Sequence, residues 1–185
     1  MGLFALDKIR ITAAYVVSKK YQLDSSSSPR STRNRSVRHT MTESPGANLW
    51  ATEAHSADYL RRADSIPHRT EGESALLEFM PAEAHRILDL GTGAGRLVTL
   101  VKATRPNAEF VALDFSPTML NAVRKQFGDD RSVAIVDHDF DNKLPPMGRF
   151  DAAISSFAIH HLVHERKRAL YEEIFEISAV PRKSE

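Results

Sequence analysis

The amino-acid sequence predicts an α/β fold built on a parallel sheet, because short apolar runs alternate with stretches of helical periodicity. The runs that predict strands are 86-RILDL-90, 109-EFVALDF-115, 133-VAIVDHD-139 and 151-DAAISSF-157. The stretches that predict helices cover residues 95–104, 117–127 and 164–177. A length of 185 residues suits one domain with an appendage.

The appendage is the N-terminal segment, which differs from the rest of the chain in charge. Residues 1–40 hold eight Lys or Arg and two Asp, a net charge of +6 in a chain whose total is +1. The stretch 24-DSSSSPRSTRNRSVRHT-40 has no apolar period, so we expect disorder over residues 1–45. Three interpretations fit its composition: an unstructured extension, a start of translation at Met41, and an organelle transit peptide. We expect a cytoplasmic protein, with an organellar location as the alternative if residues 1–40 are a transit peptide.

Between this segment and the first strand, the sequence predicts helices. Trp50, Ala54, Ala57 and Leu60 fit one helical face, and Pro67 separates them from a second helix over residues 71–80. The predicted division is therefore a basic extension (1–45), a helical lid segment (46–70), the α/β domain (71–178) and a tail (179–185).

Several kinds of site are excluded or disfavoured by composition and spacing. The chain has no cysteine, which excludes disulfides, zinc–thiolate sites and cysteine nucleophiles. No segment reaches the ~18 uncharged apolar residues that a membrane span needs, so we expect no membrane partner. The run 160-HHLVHE-165 matches neither H-E-x-x-H nor H-x-x-E-H, so we expect no metal.

The most informative motif is the glycine loop in 87-ILDLGTGAGRL-97. Gly91, Gly93 and Gly95 form G-x-G-x-G, whereas the dinucleotide fingerprint G-x-G-x-x-G needs a glycine where Arg96 stands. The P-loop pattern fails as well, since no G-K-[ST] follows. Asp89, just before the loop, can accept a hydrogen bond from an ammonium group. The loop therefore favours a zwitterionic amino-acid ligand over a pyrophosphate, and a nicotinamide-binding protein is the disfavoured alternative.

Two further acids stand at the ends of the next two predicted strands. Asp114 lies 19 residues beyond Gly95, where a carboxylate can accept from both hydroxyls of a ribose. Asp139 can accept from an exocyclic amine, with Phe140 beside it as an apolar wall for a purine. An amine, a ribose and an adenine in series describe S-adenosylmethionine.

Four motifs in order resemble the class I S-adenosylmethionine-dependent methyltransferases over about residues 72–175. They are 87-ILDLGTGAGRL-97, 111-VALDFSPTML-120, 137-DHDFDNKLP-145 and 149-RFDAAISSFAIHHL-162. The resemblance implies a Rossmann-like sheet with flanking helices and S-adenosylmethionine as cofactor. The cofactor-binding residues that it implies are Asp89, Gly91, Gly93 and Gly95 at the methionine part, Asp114 and Phe115 at the ribose, Asp139 and Phe140 at the adenine, and Ser155. Residues 155–161 would border the acceptor pocket, and Tyr59 with 66-IPHR-69 would belong to a lid.

The function that follows is methyl transfer to a small molecule, with RNA as the alternative acceptor. His161 is the candidate catalytic base. The family's sheet has seven strands and this sequence predicts about four, so we expect an incomplete class I fold that ends in 178-SAVPRKSE-185. An exposed fourth strand favours self-association. The alternative function is therefore an inactive cofactor-binding fragment that pairs with a partner through this strand.

Overall fold

The structure is a computed structural model that describes residues 52–63 and 66–178. The predicted disordered extension (1–45), the tail (179–185) and Trp50 lie outside the described residues.

The described elements follow the predicted alternation. The helices are α1 (Glu53–Arg62), α2 (Arg69–Phe79), α3 (Arg96–Thr104), α4 (Pro117–Phe127) and α5 (His164–Ile177), with a 3-10 helix at Ile159–His161. The strands are β1 (Arg86–Leu90), β2 (Glu109–Asp114), β3 (Val133–Asp137) and β4 (Ala152–Ser155). β2, β3 and β4 end one or two residues before the predicted runs do, because the last residues of those runs belong to loops.

The four strands form one parallel sheet in the order β3-β2-β1-β4, and the predicted fold class is confirmed. In register, Leu88 of β1 lies between Val111 of β2 and Ala153 of β4. The chain moves outward from β1 to β3 and then returns to the other side of β1. The order thus reverses beside β1, and open α/β sheets bind ligands at the carboxyl ends of the strands at such a point.

Apolar residues cover both faces of the sheet, as expected for parallel strands. Along β1, Ile87 joins a core with α2, α3 and α4, whereas Leu88 and Leu90 join a second core with α5. β2 alternates in the same way, since Phe110 faces the first core and Val111 the second. This period of two determines which side chains of the strands are enclosed and which reach the rim.

Helix α1 packs on α4 through a polar contact that the sequence did not predict. The predicted apolar face is only partly correct, because Ala54 is exposed and the fully buried residue of α1 is Ser56. The Ser56 hydroxyl lies 2.9 Å from the hydroxyl of Ser116, the N-cap residue of α4. The two hydroxyls satisfy each other inside a region without solvent, which holds α1 against the sheet domain.

In the described part of the chain, β4 is an edge strand of the sheet. Among the described residues, only the isolated parallel bridge between Phe150 and Ser178 lies on that side of the sheet, just before the strand. No helix in the described ranges is long and apolar enough to cross a bilayer.

Candidate functional site

A cavity of about 630 Å³ lies at the carboxyl ends of the strands. Its walls come from residues 91–94 after β1, Asp114 and Phe115 at the end of β2, residues 139–141 after β3, residues 156–158 after β4, and one side of α1. Seven of the ten predicted site residues line it, namely Gly91, Gly93, Asp114, Phe115, Asp139, Phe140 and His161. Asp89, Gly95 and Ser155 are not part of its wall.

At two of the three loop glycines, neighbouring protein atoms leave no room for a side chain, and the third faces open space. A methyl group on Gly91 would overlap the Cβ of Ala158, and one on Gly95 would lie 2.6 Å from the Phe127 ring. Gly93 has a φ of +58°, and a methyl group there would meet only the Met119 sulfur, at 3.9 Å. Gly93 is therefore the position at which a ligand can approach the backbone of the loop.

Asp114 connects this loop to the next strand. One carboxylate oxygen accepts a hydrogen bond from the Gly93 N–H at 2.9 Å, and the other accepts from the Ser116 N–H at 2.9 Å. Burial raises the pKa of Asp114, and the backbone N–H groups of Ser116 and Gly93 oppose that rise. The carboxylate is thus fixed in orientation on the cavity wall, and each oxygen keeps a second lone pair for a ligand hydroxyl.

Asp89 lies beneath the glycine loop, behind the cavity wall. It is fully buried, and neither carboxylate oxygen has a hydrogen-bond partner. Burial, with the nearby Asp114 charge, outweighs the opposing effect of the Thr92 hydroxyl and raises the pKa of Asp89 to about 7. The alternation of β1 explains the position, because residues 87 and 89 lie on the same side of the strand.

Asp139 and Phe140, the predicted adenine-binding residues, lie on the loop after β3, which α5 contacts. Asp139 lines the cavity and accepts from the Asp141 N–H, while Phe140 is 5% exposed. Arg166 of α5 donates to the carbonyl oxygens of Phe140 and Asn142. These contacts hold the loop in place against α5.

At the end of β4, the cavity is bordered by residues after Ser155 rather than by Ser155 itself. The Ser155 hydroxyl donates to the Leu90 carbonyl oxygen at 2.7 Å and so ties β4 to β1. Ser156, Phe157 and Ala158 supply the wall. Phe157 has a φ of +58°, a conformation that non-glycine residues rarely adopt and that is often found at functional sites.

His161 lines the cavity from the 3-10 helix. Its ring lies 3.7 Å from that of His160, centroid to centroid. Burial, together with the neighbouring His160, His55 and Lys167, lowers the pKa of His161 to about 4. The imidazole is therefore neutral at pH 7 and can accept a proton.

The sequence interpretation missed several cavity residues that lie far from the glycine loop along the chain. Arg69, Met119 and Asp141 line the cavity, as does Thr92 within the loop. Asp141 has a sequence signal, since it is one of three acids in 137-DHDFD-141. Arg69 has only a weak sequence signal, which is its place at the end of the predicted lid motif. Its position in the cavity depends on how α1 and α2 pack.

The reversal of strand order beside β1, and the cavity at the strand ends, define a Rossmann-like domain of the class I methyltransferase type. The sequence profile of the methyltransferase domain family matches residues 87–179, half of the chain. The chain belongs to this family, and the predicted class of S-adenosylmethionine-dependent methyltransferases is confirmed.

Two relatives of this chain are also methyltransferases. A demethylmenaquinone methyltransferase of Thermus thermophilus is 37% identical over 84 residues, which cover 44% of this chain and 38% of that protein. A malonyl-[acyl-carrier protein] O-methyltransferase of Legionella pneumophila is 30% identical over 110 residues, 60% of this chain and 39% of that protein. The chain thus spans about two fifths of the length of these relatives.

A solved structure shows the same fold. The human N-acetylserotonin methyltransferase, in complex with its S-adenosylmethionine, superposes with a TM-score of 0.57 at 19% identity. The match covers 71% of this chain and 37% of that one.

Proposed function

We propose that the chain binds S-adenosylmethionine in this cavity and transfers its methyl group to a small-molecule acceptor. The observation that carries the proposal is the arrangement of Gly93, Asp114 and Asp139 at three consecutive strand ends around one cavity. This arrangement matches the series of groups along the cofactor, which are an amino acid, a ribose and an adenine.

The described residues fit such a ligand. Gly93 leaves space against the loop, and the Asp114 carboxylate is fixed on the wall for the ribose hydroxyls. Asp139, with Phe140 beneath it, would hold the adenine. The buried Asp89 carboxyl has no partner, so a cation in the adjoining cavity would stabilise its ionised form.

The cofactor supplies a methyl group on a sulfonium, which is a built-in leaving group. The protein's task is then to orient the acceptor and to remove a proton where the acceptor carries one. We assign the proton-accepting role to His161, because it lines the cavity beside residues 156–158 and its imidazole is neutral at physiological pH.

The printed names of the relatives support a small acceptor. They are a demethylmenaquinone methyltransferase and an O-methyltransferase of a carrier-bound malonyl group. RNA is the alternative acceptor that the sequence admits. A tritiated methyl donor offered with a naphthoquinol, a malonyl thioester or total RNA separates these classes. Label in RNA alone would contradict the small-molecule proposal.

Cofactor binding is tested by calorimetric titration of the chain with S-adenosylhomocysteine and, separately, with NADH. We expect the first to bind and the second not to bind. Binding of NADH without the homocysteine compound would overturn the proposed function.

Asp114→Asn tests the ribose contact with a matched pair of ligands, adenosine and 2′,3′-dideoxyadenosine. The parent chain should prefer adenosine by about 1–3 kcal/mol, because a charged acceptor holds its hydroxyls, and the variant should lose most of that preference. An unchanged preference would refute this role for Asp114.

His161→Ala should lower kcat while the affinity for S-adenosylhomocysteine stays the same. His160→Ala is the matched control, since His160 does not line the cavity. Equal losses in the two variants would contradict the role of His161.

A further inference from the structure

Arg69 is an enclosed cation on the cavity wall. It is the first residue of α2 and is only 7% exposed, and its side chain lines the cavity. Arginine is rarely buried unless it is paired with an acid. A buried guanidinium at this position therefore needs a negative charge nearby.

The described residues supply few partners for this guanidinium. Its Nη2 donates to the Tyr59 hydroxyl at 2.7 Å, and its Nε is buried without a partner. No carboxylate of the described residues lies within salt-bridge distance of it. The nearby acids of α2 are engaged elsewhere, because Glu71 contacts His68 and Glu73 pairs with Arg96.

Two aromatic rings hold the guanidinium in position. Its central carbon lies 5.3 Å from the centre of the Phe157 ring and 5.8 Å from that of the Tyr59 ring. Such contacts attract a cation but do not neutralise it, so within the described part of the chain the buried positive charge has no counter-charge. An anion in the adjoining cavity would supply the missing charge, and a carboxylate matches the planar fork of the guanidinium.

We propose that Arg69 is a carboxylate-binding site of the cavity. The inference rests on the proposed function, because two carboxylates can reach this cavity: that of the methionine part of the cofactor and one carried by the acceptor. Among the described residues, the acids that line the cavity are Asp114, at the end of β2, and Asp139 and Asp141, after β3. On the side formed by α1, Arg69 and residues 156–162, no described acid lines the cavity.

Calorimetry on the parent chain and Arg69→Gln tests the cofactor source with two nucleosides. S-adenosylhomocysteine carries the carboxylate, and 5′-methylthioadenosine lacks the whole amino-acid part. If Arg69 holds the cofactor carboxylate, the variant should bind the first about ten- to a hundredfold more weakly and the second unchanged. Arg69→Lys should recover part of the loss, because it keeps the charge but not the fork.

A second pair of probes tests the acceptor source in the presence of saturating S-adenosylhomocysteine. Malonate is the carboxylate probe and malonamide is its neutral counterpart. Loss of malonate binding in Arg69→Gln, with both nucleosides unaffected, would assign the site to the acceptor. Arg61→Gln is the control, since Arg61 is exposed and paired with Asp58.

Two results would overturn the proposal. One is an equal loss for S-adenosylhomocysteine and methylthioadenosine, which would make Arg69 a support of the fold alone. The other is no change for any of the probes. Failure of both nucleosides to bind the parent chain would instead refute the proposed function, and this inference with it.

Discussion

The Asp89 carboxyl has neither solvent nor a hydrogen-bond partner, and its pKa of about 7 lies above the ordinary value of 3.8. Between these two pH values the folded chain retains a proton that the unfolded chain has lost. The stability due to this proton is present below about pH 4 and is lost as the pH rises through about 7.

Asp89→Asn removes this titration. The free energy of unfolding of the parent should fall between pH 5 and pH 8 by about 2–3 kcal/mol more than that of the variant, as measured by urea denaturation. Asp130→Asn is the control, because the Ser132 hydroxyl and Lys102 hold the pKa of Asp130 at about 2. Its effect on stability should be the same at both pH values. A parallel pH dependence in the parent and Asp89→Asn would refute the shifted pKa.

At this scale, residues adjacent to strand ends could be predicted from the sequence, and residues brought in by helix packing could not. Asp114 directly follows an apolar run and Asp139 lies three residues after Val136, so their place on the rim follows from the fold class. The position of Asp89 could also have been predicted, since the alternation that buries Ile87 buries residue 89 on the same face. Ser56 and Arg69 carry no comparable signal, because their burial depends on where α1 and α2 dock.

Among the elements, α5 supports the cavity wall through one ion pair, although its own residues do not line the cavity. Arg166 pairs with Glu173 at 2.7 Å, and each side chain is 13% exposed. Glu173 also accepts from the Leu144 N–H at 2.9 Å. Burial alone would raise the pKa of Glu173, but Arg166 and Leu144 outweigh it and hold the pKa below its usual range. The pair thus fixes residues 140–144, which include Phe140 of the cavity wall.

Glu173→Gln should destabilise the chain by about 3 kcal/mol, because it leaves a largely buried arginine without its acid. Affinity for S-adenosylhomocysteine should fall as well. Arg168→Gln on the same helix is the matched control: its ion pair with Glu172 is 83% and 64% exposed and should contribute less than about 0.5 kcal/mol. Similar losses of stability in the two variants would contradict the assigned role of the loop contacts.

The order of the elements was predictable because strand and helix periodicities differ, and the boundaries of α3, α4 and α5 agree within one residue. The buried face of α1 could not be predicted in this way, because a helix that buries a serine shows no apolar stripe at that position. Such a contact is specified by the partner hydroxyl on α4, 60 residues away along the chain.

For the whole molecule, the two outer strands of the sheet differ in how well they suit pairing with another chain. β3 and β4 are both at the edge of the described sheet, and Ala152, Ala153 and Ile154 of β4 are buried. Unpaired backbone groups on such a strand are a template for another chain. Self-association through β4 is therefore a proposal that suits this architecture.

Sedimentation velocity over a range of concentrations should show reversible association. Amide hydrogen exchange at residues 152–155 should slow as the chain associates, while exchange at residues 133–137 should not change. A monomer at all concentrations, or slowing at β3 instead, would contradict pairing through β4.

The hydrogen bond between Ser56 and Ser116 has a consequence for rates. His55, Tyr59 and Leu60 of α1 line the cavity, so we expect a ligand seated there to leave when α1 separates from α4. One neutral hydrogen bond contributes about 1 kcal/mol, a small barrier compared with that of unfolding. The residence time of the ligand would then depend on this hydrogen bond. Ser56→Ala should increase the association and dissociation rates of S-adenosylhomocysteine together in stopped-flow traces, and leave the dissociation constant nearly unchanged. A change in only one of the two rates would place the exit elsewhere.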